Sequence, residues 1–346
     1  MRERSACANG LRPTVLRRPL RTWAGFVAFA IGLGLVGAAS LAPAAPSAAK
    51  PARIGVLFLA SPETDNTRRA IGLREGLRDL GYVEGQSVML EYQYAEGKPE
   101  RLPELAAGLV RARVDVIVVV GCQAAMAARG VTATVPIVMA PVGDPIACGV
   151  VASLARPGGN VTGVSLMTTE LIPKRLSLLK EVVPGLTRLG LVFHSSRRGL
   201  KTIEREAATM GIKVVWLEIA GPETIGTLRK GIRAARVHAL STLDHPVTDG
   251  LAPRVAEIAL QERLPTVFPF REAVEAGGLM SYATSIVPLQ RRAATYVHRI
   301  LNGTSPAELP VEQADQFELV VNLKVARALR LTIPSSVLLQ ANQVID

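Results

Sequence analysis

His194 stands beside Ser195 and Asp244 beside His245, so the chain carries the three residue types of a nucleophilic hydrolase. Acyl transfer needs hydroxyl, imidazole and carboxylate in hydrogen-bonding succession, with the serine raised on a sharp strand-to-helix turn in the α/β hydrolases. No GxSxG elbow occurs, and neighbouring residues on a strand point to opposite faces. No catalytic residue is therefore assigned, and an exported hydrolase working through Ser195 stands as a third reading.

Other chemistry fares no better. The four histidines, His194, His238, His245 and His298, show neither an i,i+4 pair nor a Cys/His array, so no metal site is expected. Gly32, Gly34 and Gly37 match GxGxxG, but inside an apolar run with no strand before it. Gly221 and Gly226 have the spacing of a phosphate loop, yet Thr227 and Leu228 stand where lysine and a hydroxyl are required. No cofactor is expected. Asn160-Val161-Thr162 fits a glycosylation pattern and reads as a turn opening a strand.

The elements that would position any site alternate along the chain. Apolar runs at 53–60, 86–95, 114–121 and 135–142 read as strands. Between them, leucines at helical spacing (Leu73, Leu77, Leu80; Leu102, Leu105, Leu109) read as helices. The pattern restarts after the glycine-rich stretch LARPGGNVTG, with strands at 188–194, 212–219, 237–243, 265–270 and 277–283 and helices between. Such alternation predicts parallel sheets covered on both faces. Two lobes account for the restart better than one very wide sheet. A helix at 286–301 and a strand at 317–322 remain over, so the chain is expected to pass between the lobes several times, at natural hinges.

The informative residues are the polar ones at strand C-terminal ends, where open α/β sheets bind ligands. In the first series these are Ser61 and Pro62, then Gly121, Cys122 and Gln123, then Asp144; in the second, Ser195 and Ser196, Asp244, and Tyr282. Two lobes with facing tips make a cleft. Helix N-termini there would attract a carboxylate, and Asp144 and Asp244 would accept an ammonium. Together they suit a small amino-acid-like ligand. Any one of these residues could equally be an ordinary turn or capping residue. Aromatic residues make up only 4% of the chain, which favours a small or aliphatic ligand over an aromatic one.

The N-terminus differs in kind. Six arginines and one glutamate precede Trp23, the stretch Trp23 to Leu41 is uncharged, and small residues follow, with Ala42 and Ala44 placed for cleavage. This is the layout of an export signal over 1–44, by the Sec or the Tat route, although the apolar run is long enough for a retained anchor. That segment holds +5 of the formal +11, leaving +6 on the rest. No basic run with interleaved aromatics occurs, so nucleic acid is not an expected partner. Cys122 and Cys148 follow the leader, and outside the cytoplasm they could pair or stay free.

The sequences RIGVLFL, LRDLGYVEGQSVMLEYQYAEG, VGDPIACGVVASLARPGGNVTG, EAGGLMSY and LPVEQADQFELVVNLKVARALRLTIPSSVLLQANQVI resemble ABC transporter substrate-binding proteins related to the tryptophan/tyrosine uptake group. The resemblance runs from Arg53 to Asp346. It implies a type I periplasmic binding protein: two doubly wound parallel-sheet α/β lobes, three crossings, and closure on ligand for delivery to an ABC permease. The expected organisation is 53–164 plus about 285–316 for lobe one and 165–284 plus about 317–346 for lobe two. The protein is expected to be periplasmic, monomeric and non-enzymatic. By matching position, the resemblance places the pocket on Ser61, Pro62, Gly121, Cys122, Gln123, Asp144, Ser195, Ser196, Asp244 and Tyr282. Cys122 stands where relatives often carry a hydroxyl, and Ser281-Tyr282-Ala283-Thr284 where many have Ser-Tyr-Gly-Pro. A ligand sensor reporting to a membrane receptor is the alternative.

Overall fold

The computed structural model describes residues 50–62, 68–168, 170–194 and 200–346. The expected export signal lies outside them. The chain begins with β1 (Ala52–Phe58), α1 (Arg68–Asp79), β2 (Val88–Tyr94), α2 (Leu102–Arg111), β3 (Val116–Val120), α3 (Cys122–Val131), β4 (Ile137–Val142) and β5 (Val161–Ser165). A second series follows: α4 (Ile172–Val182), β6 (Arg188–Phe193), α5 (Leu200–Thr209), β7 (Lys213–Glu218), α6 (Ile225–Ala235), β8 (Ala239–Thr242), α7 (Pro246–Gln261), β9 (Thr266–Phe268), α8 (Arg271–Glu275) and β10 (Met280–Ala283). The remainder is α9 (Ile286–Leu301), β11 (Glu312–Gln313), β12 (Glu318–Asn322), α10 (Leu323–Ala328), α11 (Ser335–Leu338) and β13 (Gln343–Ile345).

The strands form two sheets, ordered β11-β5-β4-β3-β1-β2 and β13-β12-β10-β9-β8-β6-β7. Pairing is parallel throughout the first sheet. In the second, only β10 and β12 run antiparallel. This is the mixed α/β class read from the alternating pattern.

The reason lies in residues such as those of β3, VIVVV, all buried. A strand hydrophobic on both faces needs helices on both. Ile117 and Val119 join the apolar cluster under α2 and α3, whereas Val116, Val118 and Val120 join the one containing Leu73 and Leu77 of α1 and Ala293 and Val297 of α9. Each valine so buried contributes roughly 1.5–3 kcal/mol against exposure.

The chain passes between the sheets three times, after Ser165, after Ala283 and after Gln313. Helix α9 returns to pack on α1, β11 pairs with β5, and β12 pairs with β10. The cluster under α2 and α3 continues through Val247 and Leu251 of α7 and Phe268 of β9, so apolar packing bridges the two sheets.

Candidate ligand-binding cleft

A cavity of about 550 Å³ lies where the C-terminal ends of β3 and β4 face those of β6 and β8. Five of the expected residues line it: Gly121, Cys122, Gln123, Asp144 and Asp244. Strand β1 reaches it through Leu59, while Ser61, half-buried, and Pro62, exposed, are not among its lining residues. Ser195 and Ser196 lie outside the described residues. Tyr282 does not line the cavity either; its ring packs against Phe317 with centroids 6.1 Å apart.

The walls of the cavity touch across the cleft. His245 caps α7 by accepting a hydrogen bond at Nδ1 from the Val247 amide at 3.2 Å. The proton is thereby left on Nε2, which donates to Gln123 Oε1 at 3.0 Å, joining α7 to α3. Gly143 sits so near the second sheet that a Cβ there would lie 2.9 Å from Thr168 Oγ1 and 3.5 Å from Asp244 Oδ2. Gly121 has φ +84°, a conformation that opens α3 immediately after β3 and that glycine adopts without penalty.

Cys122 and Cys148 form a disulfide, with Cα atoms 5.9 Å apart. The question left open by their spacing is thus answered. Cys122 therefore offers no S–H donor to a ligand. The bridge ties the first residue of α3 to the turn after β4, and both half-cystines line the cavity. In that turn, Asp144 Oδ1 accepts hydrogen bonds from the amides of Ile146 and Ala147 at 3.1 and 2.9 Å. One oxygen of the expected ligand acceptor thus holds its own turn.

His194 and His245 stack with ring centroids 4.4 Å apart. With His245 engaged in a cap and a cross-cleft bond, it is no general base for a hydroxyl. Burial pushes the His194 imidazole below its ordinary range, opposed by a hydrogen bond with the Ala220 backbone and the charge of Glu218.

Arg175 on α4 lines the same cavity, although its side chain is only 2% exposed. Its Nε donates to the Tyr282 carbonyl at 2.7 Å. Burial lowers the guanidinium to about 10, against the charges of Asp244, Asp249 and Tyr282, so it remains a cation at neutral pH. The strand-tip rule passed over this residue because it lies within a helix. Its signal was its place on the apolar stripe of Ile172, Leu176 and Leu179, where a charge is out of pattern. Among the described residues there is no cluster of ligands for a metal ion, and no helix is long and apolar enough to cross a membrane.

A two-sided cavity at strand ends is the site of a molecule that holds a ligand, and the family model for ABC transporter substrate binding proteins matches residues 54–345. The chain belongs to that family. This substrate-binding protein is 28% identical over 287 residues to a tyrosine-binding protein of Clostridioides difficile, with 81% of each chain covered. It is similar in structure to a conserved domain protein of Vibrio cholerae, with TM-score 0.79 and 28% identity over 85% of this chain and all of that one. The structure of an ABC domain of Streptococcus pneumonia in complex with L-Trp matches with TM-score 0.78 and 28% identity, covering 86% of this chain and 100% of that one. A ligand-free, open substrate-binding protein of Clostridium difficile matches with TM-score 0.62 and 26% identity, covering 85% and 99%. The protein is a ligand-capturing component of an ABC import system with a type I periplasmic binding protein fold.

Proposed function

We propose that the cleft captures a free amino acid with a large apolar or aromatic side chain and presents it to an ABC permease. The observation that carries this is the cavity shared by the strand ends of both sheets, with Asp244 on a wall otherwise rich in apolar groups. Its volume falls within the span of roughly 300–1,000 Å³ common for small-molecule sites. Asp244 accepts the ammonium, and Phe193, Leu166 and Met126 enclose the side chain. The rings of Phe193, His194 and His245 on the wall favour a larger ligand than aromatic content alone suggested. That relatives are named for tyrosine and crystallised with L-Trp supports the same class.

Lobe one comprises 53–164 plus about 285–316 and lobe two 165–284 plus about 317–346. The pairing of β11 with β5 and of β12 with β10 supports this division. The arrangement described here is the closed one, supported by the His245–Gln123 bond and by a better match to the L-Trp complex than to the open relative. The protein works as a periplasmic monomer after removal of its leader, and it is a carrier rather than an enzyme.

Mass spectrometry of the small molecules released from the purified, denatured protein tests the ligand class. An amino acid in near-stoichiometric amount is the expected result, with thermal stabilisation on adding it back. A bound solute that is not an amino acid would refute the ligand assignment.

A further inference from the structure

We propose that Arg175 is the specificity-determining cation of the cleft, recognising the ligand's α-carboxylate through its free guanidinium edge. The inference rests on the reading of the cleft as an amino-acid site and names the group that reads one end of the ligand.

Of the five N–H donors of a guanidinium, the Arg175 Nε proton is used on the Tyr282 carbonyl. Its Nη2 is buried and has no hydrogen-bond partner among the described residues. Arginine supplies planar, paired donors that match a carboxylate, and the cavity reaches this side chain. A buried cation with an unmade hydrogen bond is costly, and a protein keeps one where a ligand completes it. Purely structural use of the residue, to tie α4 to the end of β10, would need only the Nε contact and would not explain a guanidinium nitrogen buried without a partner at the cavity wall.

The surroundings choose between anions. Leu166, Ile172 and Ile286 make this part of the wall apolar, and Asp144 and Asp244 stand on the same cavity. The charges of Asp244 and Asp249 act on this guanidinium, which disfavours a dianion such as phosphate and suits a zwitterion, whose ammonium turns toward Asp244. The sequence pointed to helix N-termini for the carboxylate. At α7 that role is already taken, since His245 Nδ1 occupies the Val247 amide. The N-terminus of α3 has no side-chain cap and is the competing location.

The test compares the twenty amino acids with the α-amide and the decarboxylated amine of each that binds, by calorimetry on wild type, Arg175→Gln and Arg175→Lys. Wild type is expected to prefer the free acid over its amide by about 100-fold or more. In Arg175→Gln that preference should fall to within about threefold, with Arg175→Lys intermediate, because lysine restores charge without the planar fork. A Gln variant that keeps the wild-type preference places the carboxylate at α3 and overturns the proposal, as does a wild type indifferent to amidation. Should the variants not fold, arginine 15N resonances of wild type serve instead. The buried guanidinium must shift on adding the acid and not the amide, and an unshifted signal overturns the assignment. If the protein carries a solute without a carboxylate, Arg175 loses this role while the receptor reading stands. If no solute binds at all, both fall.

Discussion

Replacing both half-cystines by alanine, Cys122→Ala with Cys148→Ala, removes a bridge that closes a loop with a sequence separation of 26. In the loop-entropy treatment that constraint lowers the entropy of the unfolded chain by about 12 cal/mol/K, which corresponds to about 3.5 kcal/mol at room temperature. The loop runs from α3 through β4 to the turn that lines the cleft. Urea unfolding of the purified protein, monitored at several wavelengths to check that both lobes unfold together, should therefore show the double variant destabilised by roughly that amount. The wild type treated with reductant should converge on it. Ligand affinity should fall as well, because the Asp144 turn loses its covalent tie to α3 while keeping the two amide bonds to Asp144 Oδ1. A loss of less than about 1 kcal/mol, or equal sensitivity of the double variant to reductant, would refute the reasoning that the bridge stabilises through the unfolded chain.

Three further outcomes are expected. Acid should weaken both ligand binding and stability: His194 is held neutral by burial, so the open or unfolded chain takes up the proton first as pH falls through about 6.5. The loss levels off below the depressed folded value; calorimetry between pH 8 and 5, roughly the range over which histidine titrates, should show it, and a flat profile would contradict it. Gly163→Ala should destabilise the fold by about 3 kcal/mol or more, since φ is +131° and the new Cβ would lie 2.4 Å from the Met139 carbonyl oxygen; a thermal midpoint equal to wild type would show that β4 and β5 can separate freely. Asp244→Asn should reduce affinity about 100-fold, whereas Asp144→Ala should cost about 1 kcal/mol of stability through its lost turn bonds with a smaller loss of affinity; equal losses of affinity from the two in calorimetry would erase the distinction drawn between them.

Periodicity carried most of the architecture. The runs at 114–121 and 135–142 became β3 and β4 because only a central parallel strand tolerates apolar residues on both faces. The short elements α8, α11, β11 and β13 had no such signal: β11 has two residues, and its pairing is set by β5 rather than by its own composition. At the cleft, the strand-tip rule named Gln123, Asp144 and Asp244, which line the cavity. It could not find Arg175, which lines the cavity from within a helix, nor the use of His245 as both cap and cross-cleft donor. Those roles depend on which elements face each other, and the chain order does not reveal that before the two sheets are assembled. The glycine stretch before β5 proved to be backbone geometry: Gly158 and Gly159 have positive φ in open space, and Gly163 allows β4 to approach.

The central claim is that two lobes close on an amino acid with a large apolar or aromatic side chain held between them. Small-angle X-ray scattering of the protein without residues 1–44, stripped of ligand by unfolding and refolding and then titrated with the amino acid that it binds most tightly, addresses it directly. The account predicts a contraction of the radius of gyration that saturates at one ligand per protein, as the Gln123–His245 contact forms across the cleft. A radius unchanged at full occupancy would contradict it.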